Sequence, residues 1–162
     1  MSGARRTRRA TSREQIVDTT PKCEFASKNL ILRLDATIDG KIESIRPLVD
    51  SIMQMVRAMG CAAGKEMQVE IALLEALANA VVHGCKNDPH QKVECCVACD
   101  EERGMLIVIR DPGEGFDPKS IPSPVHGQNL FSLHGRGIFL INQLADDVRY
   151  EKGGTEIHIR IA

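Results

Sequence analysis

Glu75-Ala-Leu-Ala-Asn79-Ala-Val-Val-His83-Gly84 is the stretch on which the rest of the chain can be read. Glu75, Asn79 and His83 stand four residues apart, so on a helix they share one face, with about 6 Å of rise between neighbours. Leu and Ala fill the positions between them, which puts this polar face close to a core. A carboxylate and an amide one turn apart can hold a metal-bound phosphate and, beside it, a nucleophile awaiting deprotonation. Val69, Leu73, Ala76, Leu77 and Ala80 extend the apolar repeat, predicting a helix from about Lys65 to His83 with Gly84 as its exit.

Working outward, Asn29 to Asp35 reads as a strand. Ile38, Ile42, Ile45, Val49, Ile52, Val56 and Met59 then recur at spacings of three and four. That is one stripe of an amphipathic helix, with Asp39 as cap and Gly60 as stop. Pro47 inside it predicts a kink or a restart. Downstream, Lys92 to Cys99 and Met105 to Arg110 form a hairpin by pattern. Residues 111–135 show no periodicity, which in a small domain marks a functional loop. A third helix is expected from about Arg136 to Ala145. Val148 to Glu151 and Thr155 to Ile161 close the chain as a second hairpin around Gly153-Gly154. The order β-α-α-β-β-loop-α-β-β predicts an α+β, two-layer sandwich: a mostly antiparallel sheet with helices packed on one face.

The chain has 162 residues, 43% hydrophobic and 27% charged, with a formal net charge of −1. This suits one domain with a self-sufficient core. Residues 1–24 read as a basic, disordered tail and residues 25–162 as the domain. Arg5, Arg6, Arg8, Arg9 and Arg13 make the first 20 residues +3, leaving −4 on the remainder. That acidic body argues against direct nucleic-acid binding, and five aromatic residues offer little for base stacking. The aliphatic runs are too short for a membrane span, and no apolar segment follows the arginines as a secretory signal would require. A cytoplasmic setting is expected, with the six cysteines as reduced thiols. In Cys95-Cys96-Val97-Ala98-Cys99, Cys95, Val97 and Cys99 should share one strand face and Cys96 the other. Small buried thiols account for that pattern better than zinc.

Two further features carry chemistry. Asp111-Pro-Gly113-Glu-Gly115 ends a strand. There Asp111 can accept a hydrogen bond from an exocyclic amine, and the glycines admit a ligand close to the backbone. His134-Gly135-Arg136-Gly137-Ile138 opens the third helix, where exposed N–H groups and the helix dipole favour phosphate, with Arg136 as a planar cation. His126 and His134 are expected to be exposed loop histidines, and His83 to help end its helix. Two other nucleotide motifs do not fit: Gly113 to Ser120 lacks P-loop spacing, and Gly-x-Gly-x-x-Gly is absent.

Taken in order, these residues resemble the GHKL superfamily of ATP-binding domains, whose architecture is the Bergerat fold. Glu75 to Gly84 is similar to its N-box, Asp111 to Phe116 to its first glycine box and Gly135-Arg-Gly137-Ile-Phe-Leu to its second. Gly154-Thr155 matches its last nucleotide-contacting position. The likeness spans roughly residues 29–161. It implies ATP or ADP with Mg²⁺ as ligands, Asn79 holding the Mg²⁺, and Asp111 reading the adenine amine with support from Thr155. It further implies Gly113 and Gly115 beside base and ribose, and Gly135, Arg136 and Gly137 on the phosphates. Residues 117–134 would be a mobile lid.

Glu75 chooses the branch. Histidine kinases of the superfamily usually carry Asn there, whereas its hydrolases and serine kinases carry Glu, a general base. A short domain with Glu75, Asn79 and Gly-Arg-Gly-Ile-Phe-Leu is most similar to the anti-sigma-factor serine kinases. The resemblance then implies a homodimer that binds a sigma factor and phosphorylates a small anti-anti-sigma antagonist on serine. A non-catalytic ATP-binding switch that sequesters a partner and a plain ATPase are the alternatives.

Overall fold

The computed structural model describes residues 29–120 and 133–162. The expected basic tail, His126 and residues 121–132 of the expected lid lie outside the described residues. Among the described residues, five strands form one antiparallel sheet: β1 (Leu30–Asp39), β2 (Lys92–Asp100), β3 (Gly104–Arg110), β4 (Asp147–Glu151) and β5 (Glu156–Ile161). Their spatial order is β1-β2-β3-β5-β4. Three helices, α1 (Ile45–Ala58), α2 (Glu66–Asn79) and α3 (Leu133–Leu144), pack on one face. The core between the layers joins Val49, Ile52 and Val56 of α1 and Leu73 and Leu77 of α2 to Val97, Ile107 and Ile159 of the sheet. All eight are 0–1% exposed. The α+β two-layer sandwich is therefore as the element order predicted.

The sheet's alternation is strict where the helices cover it. Ile107 pairs with Val97 on one side and Ile159 on the other, so one side chain from each strand meets the helices. Cys95, Val97 and Cys99 face this core, while Cys96 clusters with Leu106 and Val108 on the opposite face. Cys61, Cys85, Cys95 and Cys99 are free and buried. Burial pushes the Cys95 and Cys99 thiols up to about 12, away from the thiolate a metal would need.

Three local differences from the pattern reading have physical causes. First, β1 runs on to Asp39, so Ile38 is a strand residue paired with Val93 and not the start of a helix. Leu32, Leu34, Ala36 and Ile38 recur every second residue, and a spacing of four to Ile42 satisfies both periods. Ile42 lies in a short 3₁₀ turn and is 49% exposed. Helix α1 begins only at Ile45, placing Pro47 in its first turn. Its missing N–H costs nothing there, and no kink follows.

Second, α2 gives way after Asn79 to a π-helical turn, Ala80–Gly84, in which the Cys85 N–H donates to the Ala80 carbonyl at 2.8 Å. Such turns are rare and gather at functional sites. The chain leaves through two consecutive left-handed residues, Lys86 (φ 54°) and Asn87 (φ 58°). Third, α3 begins at Leu133, three residues before the expected start, so Gly135 and Gly137 lie inside the helix.

Candidate nucleotide-binding site

The three motifs converge. A cavity of about 390 Å³, within the usual range for small-molecule sites, lies between α2, the start of α3 and the β3–β5–β4 side of the sheet. Asn79, Asp111, Gly115, Gly135 and Thr155 line it. Glu75, Gly113, Arg136 and Gly137 are not among its described lining residues. Of these, Arg136 is exposed on the first turn of α3.

Glu75 and Asn79 remain one turn apart on α2 and meet α3 at Gly137. A Cβ added to Gly137 would lie 2.6 Å from Glu75 Oε2 and 3.4 Å from Asn79 Nδ2. Gly137 therefore permits close approach of the two helices. Being the fifth residue of α3, it also lies beyond the four residues whose N–H groups a helix leaves unpaired, whereas Gly135 and Arg136 lie within them.

Asp111 sits at the end of β3, half-buried. Its backbone N–H donates to the Thr155 carbonyl at 3.0 Å, continuing the β3–β5 pairing by one step. The Gly113 N–H donates to Asp111 Oδ1 at 2.8 Å, leaving Oδ2 without a hydrogen-bond partner among the described residues. Burial pushes the Asp111 carboxyl above the usual range, against the opposing pull of the Gly113 N–H. The carboxyl rests on Gly84, where an added Cβ would come within 2.2 Å of Asp111 Cγ. Pattern reading gave Gly84 only a helix-ending role.

Phe116, Tyr150, Ile109, Ile138 and Ile157 supply apolar cavity walls. Ile109 pairs with Ile157 and Ile157 with Tyr150, making one row across three strands. Phe116 meets the Tyr150 ring edge-on at 5.3 Å between centroids. Two glycine turns hold Phe116 there. Its N–H donates to the Gly153 carbonyl at 3.0 Å. A Cβ on Gly115 (φ 75°) would lie 2.0 Å from Gly153 O, and one on Gly154 (φ 90°) 2.3 Å from Phe116 O. No other residue fits either position.

A charged row braces the same strand ends from the opposite face of the sheet. Arg110, just before Asp111, donates to Glu156 Oε2 at 2.6 Å and Glu94 Oε2 at 3.1 Å. Lys152 and His158 Nε2 also meet Glu156, at 2.9 and 2.8 Å. Burial alone would raise the Glu156 carboxyl. Hydrogen bonds from Lys152, His158 and Arg110 outweigh it and hold the group down to about 2. A depressed acid contributes stability that is complete above its unfolded value of 4.5 and lost as pH falls toward 2. Urea unfolding midpoints should fall across that window. Glu156→Gln should start lower at pH 7 and lose much of the acid slope; an unchanged slope would assign it to other groups.

The residues present suit a Mg²⁺-bound adenine nucleotide. Asn79 offers the hard amide oxygen that Mg²⁺ accepts. Asp111 Oδ2 awaits a donor beside a flat apolar wall, and Gly135 lies at the positive end of α3.

This fold and site define a histidine kinase-like ATPase domain, and the chain belongs to that family, whose pattern matches residues 38–161. Among individual proteins, the serine-protein kinase RsbW of Staphylococcus epidermidis is 35% identical over 96 residues, covering 54% of this chain and 60% of that protein. RsbW of Bacillus subtilis is 29% identical over 99 residues, covering 57% and 61%. The anti-sigma F factor of Oceanobacillus iheyensis is 30% identical over 98 residues, covering 57% and 66%. The chain thus spans about three fifths of the length of the curated relatives it matches. Among the described residues, no helix is long and apolar enough to cross a membrane.

Proposed function

We propose that this protein binds Mg²⁺-ATP and transfers its γ-phosphate to a serine of a small antagonist protein, acting also as an anti-sigma factor. The observation that carries this reading is the meeting of Glu75 and Asn79 at one point on α3, beside a cavity that also holds Asp111 and Gly135. The names of its relatives, serine-protein kinase and anti-sigma F factor, support the substrate class and the partner.

Asp111 accepts the adenine amine, with Thr155 alongside; the Thr155 hydroxyl already donates to the Lys152 carbonyl at 2.9 Å and keeps its acceptor capacity. Gly113 shapes the Asp111 turn, and Gly115 brings Phe116 to the base. Gly135, Arg136 and Gly137 lie along the phosphates at the start of α3. Asn79 would hold Mg²⁺, which would neutralise phosphate charge. An acidic body needs that help, since a single ion pair at 4 Å supplies only about 4 kcal/mol at moderate dielectric. Glu75 takes the proton of the attacking serine hydroxyl as its oxygen bonds to phosphorus and ADP leaves. A homodimer and a cytoplasmic setting belong to the same reading.

The test is incubation with γ-labelled ATP, Mg²⁺ and candidate antagonist proteins. Label on a partner serine is expected. Nucleotide binding without label would establish the sequestering switch instead, and steady phosphate release without a partner the plain ATPase.

A further inference from the structure

The geometry points to Lys86 as a further nucleotide-binding residue, its ammonium pairing with a phosphate of the ligand at the cavity mouth; this rests on the nucleotide reading above. Lys86 is the one Lys or Arg among the described lining residues, and it is exposed. Arg110, Lys92 and Lys152 are all engaged by carboxylates. Lys86 has no ion pair or hydrogen bond from its side chain among the described residues.

Its backbone adds a second, independent argument. Lys86 follows the π-helical turn in the left-handed region (φ 54°), at the helix-exit position where glycine is ordinarily chosen. The Asn87 N–H reaches back to the Val81 carbonyl at 3.0 Å, so this exit is fixed by hydrogen bonding and not a free loop. A β-carbon in this conformation is strained relative to glycine. Holding a lysine there keeps a cation at the end of the segment that runs from Asn79 to Gly84, between the metal-holding amide and the Asp111 seat. The only negative charges on a nucleotide are its phosphates, and lysine meets phosphate as a mobile point charge.

Lys86→Gly separates the two contributions. The melting temperature of the ligand-free protein should stay level or rise, because the strained β-carbon is gone. Titration calorimetry should meanwhile show ATP and ADP binding weakened about fivefold to thirtyfold, as expected for loss of a charge-assisted contact. Adenosine binding should be unchanged, and the ATP deficit should shrink as salt is raised. Lys86→Arg should retain most of the affinity. Equal affinity of wild type and Lys86→Gly for ATP, or an equal loss for adenosine, would overturn the assignment while leaving the nucleotide site intact. A wild-type protein that binds no adenine nucleotide would instead overturn the proposed function, and this assignment with it.

Discussion

Glu75→Gln is expected to bind ATP within about threefold of wild type while transferring phosphate some 10²–10⁴ times more slowly, the range general-base catalysis supplies. The substitution keeps the size of the side chain and its place against Gly137, where Glu75 Oε2 meets the α3 backbone. It removes only the capacity to accept a proton. Glu75 is also absent from the described cavity lining, so affinity, which the proposal assigns to Asn79, Asp111 and the α3 turn, should survive. Single-turnover transfer to the antagonist measures the first quantity and calorimetry the second. Transfer at the wild-type rate would remove Glu75 from the chemistry. Loss of binding in parallel would make it a structural partner of α3.

Gly84→Ala should abolish high-affinity nucleotide binding, with a loss of 100-fold or more, because one methyl group displaces the carboxylate proposed to read the base. The new Cβ would come within 2.2 Å of Asp111 Cγ and 2.5 Å of Asp111 Cβ, so rotating the carboxyl cannot relieve the clash. Asp111 is held from both sides, by its N–H on Thr155 and by the Gly113 N–H on its Oδ1. The strand end must shift, and with it the wall formed by Ile109 and Ile157. A burial-dependent site tolerates little displacement: buried hydrogen-bond partners left unmatched cost about 1–3 kcal/mol each. Circular dichroism should remain that of a folded α+β protein while the calorimetric signal with ATP disappears. Wild-type affinity in this variant would mean that Asp111 does not seat the base.

These two substitutions also mark what could be read from the chain before its fold. Helix α2, both hairpins and the α+β order follow from local periodicity, which strings of Leu, Val and Ile impose at short range. The convergence of Asn79, Asp111, Gly135 and Thr155 was legible through motif likeness. Contacts that depend on distant segments were not legible. Gly84 looks like a helix stop until Asp111 is placed on it. Gly137 reads as part of a phosphate turn, and its approach to Glu75 and Asn79 emerges only once α2 and α3 lie side by side. Ile109, Ile157 and Tyr150 read as ordinary core because a cavity wall and a core face share one alternation. Ile38 fits a helical stripe as well as a strand because a spacing of four is even and helical at once. Lys86 carried no pattern at all; only its backbone angle and its place on the rim distinguish it.

The interlock of Gly115 and Phe116 with Gly153 and Gly154 has a kinetic consequence. The two turns lie far apart in the chain and can meet only after β5 has docked beside β3 and β4 has added to its far edge. The pocket is therefore expected to form late in folding, on the native side of the barrier. A molecule seated there would act as a brake on opening while leaving the speed of refolding nearly untouched, so the ligand would govern how long the native state lasts and not how soon it is reached.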